Sequence, residues 1–485
     1  MELLKILKDV EILSVNGQVD IDIEDISYDS RKVKQNSMFL CIRGNTVDGH
    51  NYIDDAIQKG AIAILIDKKI SYKKGITYIR VNNVKESMAI IGKNFFQNPC
   101  QKINLIGVTG TNGKTSTVSF IKQILGYDCK VGSIGTIEIY DGKKTITSIN
   151  TTPESLDIQK NLNEMIKNNC KYCVMEVSSH ALVLNRIDNI DYEAAVFTNL
   201  TQDHLDFHKT LENYKNAKEK LFYKTKSINI FNIDDKVGEE FFNKSLNRDI
   251  KTYTYGVEKE ADFKAANIKL YDDRTEYDLI IDKQKYKVST PILGNFNVYN
   301  TLAAITTCIL LGLSREDVIK RVQNLKSVSG RLDKVENDKN VNIIVDYAHT
   351  PDALLNILKS ARLFTKNRII LVFGCGGNRD KAKRPIMGKI AQQNADISII
   401  TSDNPRFEKE MDIIEDILCG IDKTLDNYFV VQDRKDSIKK AIELYEVGDL
   451  IIIAGKGHEN YQIKEDKKYF FDDKLIAKKI LDEKE

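Results

Sequence analysis

Short apolar runs alternate with longer amphipathic stretches along most of the chain. This alternation predicts an α/β fold, in which mostly parallel sheets are covered by helices. Residues 261–289 differ, because polar and apolar positions alternate there without long helices, and this predicts a small antiparallel insertion. The predicted strands are 38–42, 61–66, 77–81, 103–108, 173–177, 194–197, 228–231, 342–345, 369–373, 397–400 and 450–453. The predicted helices are 117–125, 297–311, 352–361, 383–393 and 435–445.

Two breaks in this pattern predict the domain boundaries. The chain has 485 residues, which is more than one hydrophobic core normally holds. Asn98-Pro99 precedes the strand at 103–108, and a second break falls at 327–331. We therefore predict a smaller N-terminal α/β domain at 1–98, a central domain with a parallel sheet at 99–328, and a C-terminal doubly wound domain at 329–485.

Composition and charge narrow the classes of partner. The formal net charge is +2 and 29% of the residues are charged, so no single-sign field points to nucleic acid or to an anionic membrane surface. No apolar run reaches the roughly 18 residues that a membrane helix needs. Residues 1–10 mix Glu, Lys and Asp with Leu and Ile, which is not the pattern of a signal peptide. We expect a cytoplasmic protein that binds no nucleic acid and is not inserted in a membrane.

A glycine-containing loop after the strand at 103–108 carries the strongest chemical signal. Its sequence over 109–116 is Thr-Gly-Thr-Asn-Gly-Lys-Thr-Ser. Such a loop between a strand and a helix points backbone N–H groups and the positive end of the helix dipole at a phosphate. Lys114 could then reach the β- and γ-phosphates, and the Thr115 hydroxyl could bind Mg²⁺. Val108 stands where the full eight-residue pattern has glycine, and the shorter form still predicts ATP as a substrate.

Polar residues follow the predicted strands of the central domain. Glu176 lies near the end of the strand at 173–177, where a carboxylate could bind Mg²⁺. The alternative is a solvated glutamate at a strand end. Three of the six histidines lie between His180 and His208, and this density favours His204 as a residue that faces a metal ion or a phosphate.

Polar residues also follow the strands of the C-terminal domain. Asp346 could accept hydrogen bonds from ribose hydroxyls and His349 could meet a phosphate oxygen, although polar residues are common at strand ends. The charges that follow three further strands are Arg379, Asp403, Arg406 and Glu459. Two arginines and two acids that converge would suit a zwitterionic amino acid. The alternative is a set of surface turns with incidental charges.

Together these motifs resemble those of the Mur ligases, the ATP-dependent amino-acid ligases that build the peptidoglycan stem peptide. The resemblance covers essentially the whole chain. The matching segments are 29–31, 110–116, 150–153, 176–180, 198–200, 203–206, Tyr214-x-x-Ala217-Lys218, 294–300, 330–331 and 346–351. Asp403-Asn404-Pro405-Arg406 resembles the branch that adds meso-diaminopimelate, whereas lysine-adding members usually lack this arginine.

The resemblance implies an N-terminal UDP-substrate-binding domain, a central ATPase and a C-terminal Rossmann-like domain that binds the amino acid. It also implies the reaction. The γ-phosphoryl group of ATP moves to the free D-Glu carboxylate of UDP-MurNAc-L-Ala-D-Glu, and the amine of meso-diaminopimelate then attacks the acyl phosphate. The products are an amide, ADP and phosphate. These small molecules are the implied partners, and we expect a monomer.

The resemblance also assigns residues to each role. The implied catalytic residues are Lys114, Glu176, His204, Lys218 and His349. The implied ATP-binding residues are Gly110, Thr111, Asn112, Gly113, Lys114, Thr115, Ser116, Asn300, Arg331 and Asp346. The residues implied for the UDP-linked substrate are Ser30, Asn150, Thr151, Thr152, Ser178 and Arg186. The residues implied for diaminopimelate are Arg379, Asp403, Asn404, Pro405, Arg406, Gly455 and Glu459.

Two magnesium ions and a modified lysine complete the implied site. The implied metal ligands are Thr115, Glu176, His204 and Lys218. Since a free ammonium cannot bind a metal, the resemblance implies a CO₂-derived carbamate on Lys218, whereas the sequence alone shows a lysine in a charged helix. One departure concerns the UDP-linked substrate. Some relatives have Gln two residues before the arginine that matches Arg186, and this chain has Leu184.

Three alternatives stay open. The protein could be the lysine-adding form of the same enzyme. A folylpolyglutamate-synthase-like ligase would share the phosphate loop, although Asp29-Ser30-Arg31 and residues 403–406 argue against it. A switch protein that uses ATP only for conformational control would have no use for the charges at the C-terminal strand ends.

Overall fold

The computed structural model describes residues 1–44, 47–148, 150–271 and 273–483. The chain forms two compact units. The first comprises residues 1–107, 128–195 and 217–227, and the second comprises residues 108–127, 196–216 and 228–485.

Strands and helices alternate through the chain, as the sequence pattern predicts. Within the described residues the strands are β1 (Ile12–Asn16), β2 (Asp25–Ser27), β3 (Ser37–Leu40), β4 (Ala61–Ile66), β5 (Thr77–Val81), β6 (Asn104–Thr109), β7 (Lys130–Ile134), β8 (Glu138–Tyr140), β9 (Thr145–Thr147), β10 (Cys170–Glu176), β11 (Tyr192–Phe197), β12 (Thr225–Asn232), β13 (Lys251–Gly256), β14 (Phe263–Leu270), β15 (Thr275–Ile281), β16 (Gln284–Thr290), β17 (Asp333–Lys334), β18 (Ile343–Asp346), β19 (Ile369–Phe373), β20 (Ile397–Ile400), β21 (Tyr428–Val430), β22 (Leu450–Ala454), β23 (Tyr461–Lys464) and β24 (Lys467–Phe470). The α-helices of the same residues are α1 (Leu3–Ile6), α2 (Ile53–Gln58), α3 (Val84–Phe95), α4 (Lys114–Leu125), α5 (Ser155–Lys167), α6 (Ser179–Val183), α7 (Leu205–His208), α8 (Leu211–Glu219), α9 (Lys236–Ser245), α10 (Asn295–Leu310), α11 (Arg315–Val322), α12 (Pro351–Phe364), α13 (Lys383–Asn394), α14 (Glu410–Leu418), α15 (Arg434–Leu444) and α16 (Asp473–Glu483).

The N-terminal sheet of the first unit has the strand order β1-β5-β4-β3-β2. Its strands pair in parallel, except that β1 runs antiparallel to β5. Leu3 of α1 and Met88 of α3 belong to the apolar core on one face, and Ala56 of α2 belongs to the core on the other face. In the same unit the order β10-β7-β8-β9 places Glu176 at the carboxyl end of β10.

In the second unit, strands β12 to β16 lie side by side in chain order. Strand β13 pairs in parallel with both β12 and β14, whereas β15 pairs antiparallel with both β14 and β16. The antiparallel insertion that the alternating pattern at 261–289 predicts is therefore confirmed.

The last sheet of the second unit has the strand order β17-β18-β22-β19-β20-β21. All of its strands are parallel to their neighbours except β17. Ile369, Leu371 and Phe373 of β19 pack with helices α12, α13 and α14, while Ile370 and Val372 pack with α15 and α16. Because successive side chains of a strand point to opposite faces, a continuous apolar run fills two separate cores. The doubly wound arrangement predicted for this part of the chain is confirmed.

The predicted element boundaries agree closely with the structure, and the α/β fold class is confirmed. Helix α4 begins at Lys114 rather than at 117, because the glycines and polar residues of the loop hide its first turn from the apolar pattern. Strand β10 begins earlier than predicted because exposed Lys171 interrupts the run between buried Cys170 and Tyr172. The boundaries at 98 and 328 stay a prediction. Within the described ranges, no helix is both long enough and apolar enough to cross a membrane.

Candidate active site

The loop between β6 and α4 is shaped by residues that follow β11. In the second unit, the Thr111 N–H donates to the Asn199 carbonyl oxygen at 2.8 Å, and the Asn112 N–H donates to Asn199 Oδ1 at 2.9 Å. The Thr198 hydroxyl donates to the Asn112 carbonyl oxygen at 2.6 Å. The loop therefore keeps a fixed form, with Gly110 at a φ of 152° and Gly113 at a φ of 84°.

Lys114 begins helix α4, and its ammonium lies inside this loop. Its Nζ donates to the carbonyl oxygens of Gly110 at 2.9 Å and Thr111 at 2.7 Å. When a nucleotide binds, its phosphate oxygens could replace these two carbonyl oxygens as the acceptors of the Lys114 hydrogen bonds. An ammonium and a helix N-terminus at one loop form an anion-binding arrangement.

A cavity of about 940 Å³ opens beside the loop within the second unit. Its lining includes six of the residues predicted to bind ATP: Asn112, Gly113, Ser116, Asn300, Arg331 and Asp346. In the described residues, Nε of Arg331 is buried without a hydrogen-bond partner. Because an unmatched buried donor is costly, this atom suits a phosphate or ribose oxygen of a bound nucleotide.

Asp346 is buried at the carboxyl end of β18, and it organises the backbone that follows. Its carboxylate accepts from the N–H groups of Leu332 and Ala348, each at 2.8 Å. Burial raises the pKa of this carboxyl, and the charge of Arg331 opposes that change. Asp346 therefore fixes the chain around the cavity as well as lining it.

His349 is partly buried, and it lies close to Asp203 and Lys383. Its Nδ1 lies 2.8 Å from the Tyr347 carbonyl oxygen, so the proton is on Nδ1 and Nε2 can accept a hydrogen bond. Burial, followed by the charge of Lys383, lowers the pKa of His349 to about 4, which keeps the ring neutral at physiological pH. Burial raises the pKa of Asp203, but the positive charges of His204 and Lys383, and that of His349 once acid pH protonates its ring, outweigh burial and lower the pKa of Asp203.

Glu176 is held rigidly at the end of β10 in the first unit. It is 1% exposed, so the alternative of a solvated strand-end glutamate is wrong. Its carboxylate accepts from the Thr136 N–H at 2.8 Å and from the Thr136 hydroxyl at 3.1 Å. Lys218 is also only 1% exposed, which excludes a solvated helix face for it. A buried carboxylate and a buried lysine are the residue types that metal binding and carbamate formation require.

Four of the residues predicted for the UDP-linked substrate lie close to Glu176. The Thr152 hydroxyl donates to the Glu176 carbonyl oxygen at 2.8 Å and accepts from the Ser178 N–H at 3.0 Å. Arg186 Nη1 donates to the Thr152 carbonyl oxygen at 3.1 Å, and its Nε is buried without a partner among the described residues. Thr151 reaches the same group through Thr136, with their hydroxyl oxygens 3.0 Å apart.

Ser30 and Asn150 are not joined to this group by any hydrogen bond that the structure describes. The Ser30 carbonyl oxygen accepts from Lys59 Nζ at 3.1 Å, and the Asn150 carbonyl oxygen accepts from the Ser148 hydroxyl at 2.6 Å. Their assignment to the UDP-linked substrate stays a prediction.

The predicted amino-acid residues converge in the second unit. Asn404 Nδ2 donates to Glu459 Oε2 at 2.8 Å, and the Asn404 N–H donates to Asp403 Oδ1 at 2.6 Å. A Cβ at Gly455 would lie 2.6 Å from Asp403 Oδ2, so only glycine allows this approach. The alternative of incidental charges on surface turns is wrong for Asp403, which is 7% exposed.

Arg406 brings a positive charge to this group. Its Nη1 donates to the carbonyl oxygens of Gly377 at 3.0 Å and Asn404 at 3.3 Å. Burial and the nearby charge of Arg379 lower the pKa of Arg406. Among the residues that the structure describes, no carboxylate forms an ion pair with either arginine, so an anion bound here would relieve their repulsion.

Sequence reasoning missed several residues of these sites. Asp352 accepts from Asn112 Nδ2 at 2.8 Å, yet in the sequence it is simply an acid in the first turn of a helix. Thr198 and Asn199 stood in a matching motif, but nothing predicted that they shape the phosphate loop. Lys456 is fully buried beside Asn404 and Glu459, and its only signal was its place between two glycines.

Comparisons with known proteins agree with this geometry. Residues 22–97 match the description "Mur ligase family, catalytic domain", residues 108–308 match "Mur ligase middle domain", and residues 330–457 match "Mur ligase, glutamate ligase domain". Over 482 residues the chain is 50% identical to the UDP-N-acetylmuramoyl-L-alanyl-D-glutamate–2,6-diaminopimelate ligase of Clostridioides difficile, with 99% of each chain covered. It is 48% identical to UDP-N-acetylmuramoyl-L-alanyl-D-glutamate–2,6-diaminopimelate ligase 1 of Clostridium acetobutylicum, with 100% of each chain covered.

A solved structure points the same way. The chain superposes on a UDP-N-acetylmuramoyl-L-alanyl-D-glutamate–2,6-diaminopimelate ligase with a TM-score of 0.69 and 30% identity, over 99% of each chain. The chain belongs to the Mur ligase family. The resemblance drawn from its motifs is therefore confirmed.

Proposed function

We propose that the protein is an ATP-dependent ligase that joins meso-diaminopimelate to the D-Glu carboxylate of UDP-MurNAc-L-Ala-D-Glu. Relatives named for that activity are 50% and 48% identical to it over nearly the whole chain. The observation that carries the amino-acid assignment is the charge of Arg406 and Arg379, which no described carboxylate pairs. Diaminopimelate has a second, distal carboxylate that would neutralise this charge, whereas lysine has only its α-carboxylate.

The chain's own residues prepare both halves of this reaction. ATP and the substrate carboxylate are both anions, so positive charge must lie where they meet. Lys114 and the buried Nε of Arg331 supply it on the nucleotide side. Glu459 and Arg406 would hold the charged groups of the amino acid, so that its amine attacks the acyl phosphate. The amide bond then forms and phosphate leaves.

The proposal includes magnesium. The residues assigned to bind it have suitable chemistry, and those of each compact unit are described separately. In the first unit, Glu176 is a buried carboxylate and Lys218 is a buried lysine that a carbamate would turn into an oxygen ligand. In the second unit, Thr115 is the second residue of the helix after the phosphate loop, and the side chain of His204 is 38% exposed. Magnesium, when bound, would neutralise charge on the phosphates. Among the described residues, no three His, Cys, Asp or Glu side chains are grouped so that they could hold a metal ion.

The proposal also includes the three domains, the cellular location and the oligomeric state. The family matches at 22–97, 108–308 and 330–457 support domains at 1–98, 99–328 and 329–485. ATP and a UDP-linked substrate support a cytoplasmic reaction. The monomeric state stays a prediction.

Phosphate release from ATP tests this function. We expect release to require UDP-MurNAc-L-Ala-D-Glu, Mg²⁺ and meso-diaminopimelate together, and to be much slower when lysine replaces diaminopimelate. Equal or faster release with lysine would identify the lysine-adding form. Release that ignores both the UDP-linked substrate and the amino acid would instead indicate an ATP-dependent switch protein.

Replacing Gly113 by alanine is expected to weaken ATP binding roughly tenfold. A left-handed φ of 84° disfavours any side chain, and the added methyl would collide with the side-chain oxygen of Asn300. Gly312→Ala is the matched control, because Gly312 has a φ of 101° but nothing lies within 4 Å of the added methyl. The KM for ATP and the melting temperature of both variants would be measured. An equal rise in KM for both would show that the Asn300 contact is unimportant.

A further inference from the structure

Lys456 is a fully buried lysine at the edge of the amino-acid site. It follows β22, and its exposed fraction is 0%. Its Nζ donates to Asn404 Oδ1 at 3.2 Å and to Glu459 Oε2 at 3.3 Å, and it lies 5.7 Å from the centre of the Tyr461 ring. Lysine is almost never fully buried unless it is paired. Because no part of it is accessible, Lys456 cannot itself touch a substrate.

The contacts of Lys456 fix the orientation of two side chains. Asn404 Oδ1 accepts both from Lys456 and from the Ile463 N–H at 2.8 Å, so the amide nitrogen must point the other way. That nitrogen donates to Glu459 Oε2 at 2.8 Å. The same oxygen of Glu459 therefore accepts from Asn404 and Lys456. Oε1 of Glu459 makes no hydrogen bond in the part of the chain that the structure describes, so it is available to a ligand.

The surroundings of Glu459 make its charge dependent on Lys456. Burial raises the pKa of this carboxyl, and the negative charge of Asp403 raises it further. The charge of Lys456 and the hydrogen bonds from Asn404 and Lys456 oppose that rise. The charged and titratable groups that face Glu459 are Asp403, Lys456, Arg406, Arg434, Tyr347 and Tyr461. Of these, only the ammonium of Lys456 forms a hydrogen bond with the Glu459 carboxylate in the described contacts.

We propose that Lys456 is a positioning residue of the amino-acid site: its buried ammonium keeps Glu459 an oriented carboxylate whose free oxygen binds the ammonium group of the amino-acid substrate. This inference rests on the proposed function. Without Lys456, the pKa of Glu459 rises further, so a larger fraction of this carboxyl is protonated at a given pH, and a neutral carboxylic acid is a poor partner for a cation.

The pH dependence of KM for meso-diaminopimelate tests this role. The variant Lys456→Met keeps a similar length without the charge. We expect its KM, divided by that of the wild type, to be roughly tenfold at the acid end of the activity range and to fall towards one as the pH rises. Taking the ratio removes the titration of the substrate itself. The KM for ATP should change little, because Lys456 lies in the amino-acid site.

Glu459→Gln supplies the control, since glutamine cannot titrate. In that background, adding Lys456→Met should change KM by a factor that does not depend on pH. The proposal is overturned by a rise in KM that is the same at every pH, by an equal rise in the KM for ATP, or by a pH dependence that persists in the Glu459→Gln background.

A second readout needs no substrate. A carboxyl whose pKa is higher in the folded state than in the unfolded state binds more protons when folded, so stability falls as the pH rises between the two values. The urea midpoint of Lys456→Met should therefore fall with rising pH relative to that of Lys456→Met combined with Glu459→Gln, and by more than the wild-type midpoint falls relative to that of Glu459→Gln. Without that fall, the pairing of Lys456 with Glu459 is wrong. If the fall occurs but the wild type ignores every amino acid, the pairing holds and the proposed function fails.

Discussion

Replacing Lys114 by methionine is expected to lower kcat roughly 10²- to 10³-fold. Methionine has a similar length but no charge, so the loop loses the cation that would face the phosphates. The Nζ of Lys114 now donates to the carbonyl oxygens of Gly110 and Thr111, which shows that the loop already points this charge inward. A group prepared in this way needs no rearrangement when charge develops in the transition state.

Lys122→Met is the matched control for Lys114→Met. Lys122 lies in the last turn of the same helix, away from the phosphate loop. Phosphate release and melting temperature would be measured for both variants. We expect both to keep the wild-type melting temperature within a few degrees and only Lys114→Met to lose activity. Full activity in Lys114→Met would exclude Lys114 from the nucleotide site.

Replacing Arg406 by alanine is expected to lower kcat/KM for meso-diaminopimelate roughly 10- to 100-fold and to change kcat/KM for lysine much less. Arg406 Nη1 is held by two carbonyl oxygens, and no described carboxylate forms an ion pair with the guanidinium. In the variant, the distal carboxylate of diaminopimelate would be buried without its partner. Lysine has no such carboxylate to lose.

The control for Arg406→Ala is Arg315→Ala in the same unit. Arg315 pairs with Asp282 at 2.5 Å at the surface, so its removal should leave both values of kcat/KM unchanged. The ratio of kcat/KM for diaminopimelate to that for lysine is the quantity to compare. An equal loss for both amino acids would mean that Arg406 supports the site as a whole and does not select the substrate.

The sequence pattern predicted strand boundaries well where the strand only packs in a hydrophobic core and binds no ligand. Ile369–Phe373 and Ile397–Ile400 have the predicted boundaries, because the first is an apolar run between an arginine and a glycine and the second is a mostly apolar run between an aspartate and a threonine. The first turn of α4 was missed, because a loop built to hold a phosphate uses small polar residues in place of an apolar stripe. In this loop, the residues suited to phosphate binding replace the apolar residues by which a helix start is usually predicted.

The site residues show a different limit. Motifs placed Asp403, Asn404 and Glu459 in one site, and the structure brings them together. Asp352 and Lys456 gave no such signal, because a charged residue in a sequence does not reveal which residues it contacts in the folded chain. Asn112 and Asp352 are 240 positions apart, and only the folded chain shows that they form a hydrogen bond. Lys218 was assigned from the family resemblance, since its local sequence is that of an exposed helix.

The doubly wound sheet of the second unit also bears on how new substrate preferences arise. Every residue of Ile369–Phe373 belongs to one of its two cores, so a substitution there alters stability first. The residues proposed to choose the amino acid lie in the turns after the strands, outside both cores. Mutations in those turns can therefore be sampled without loss of the scaffold, and one inherited framework can serve ligases that differ in the amino acid they add.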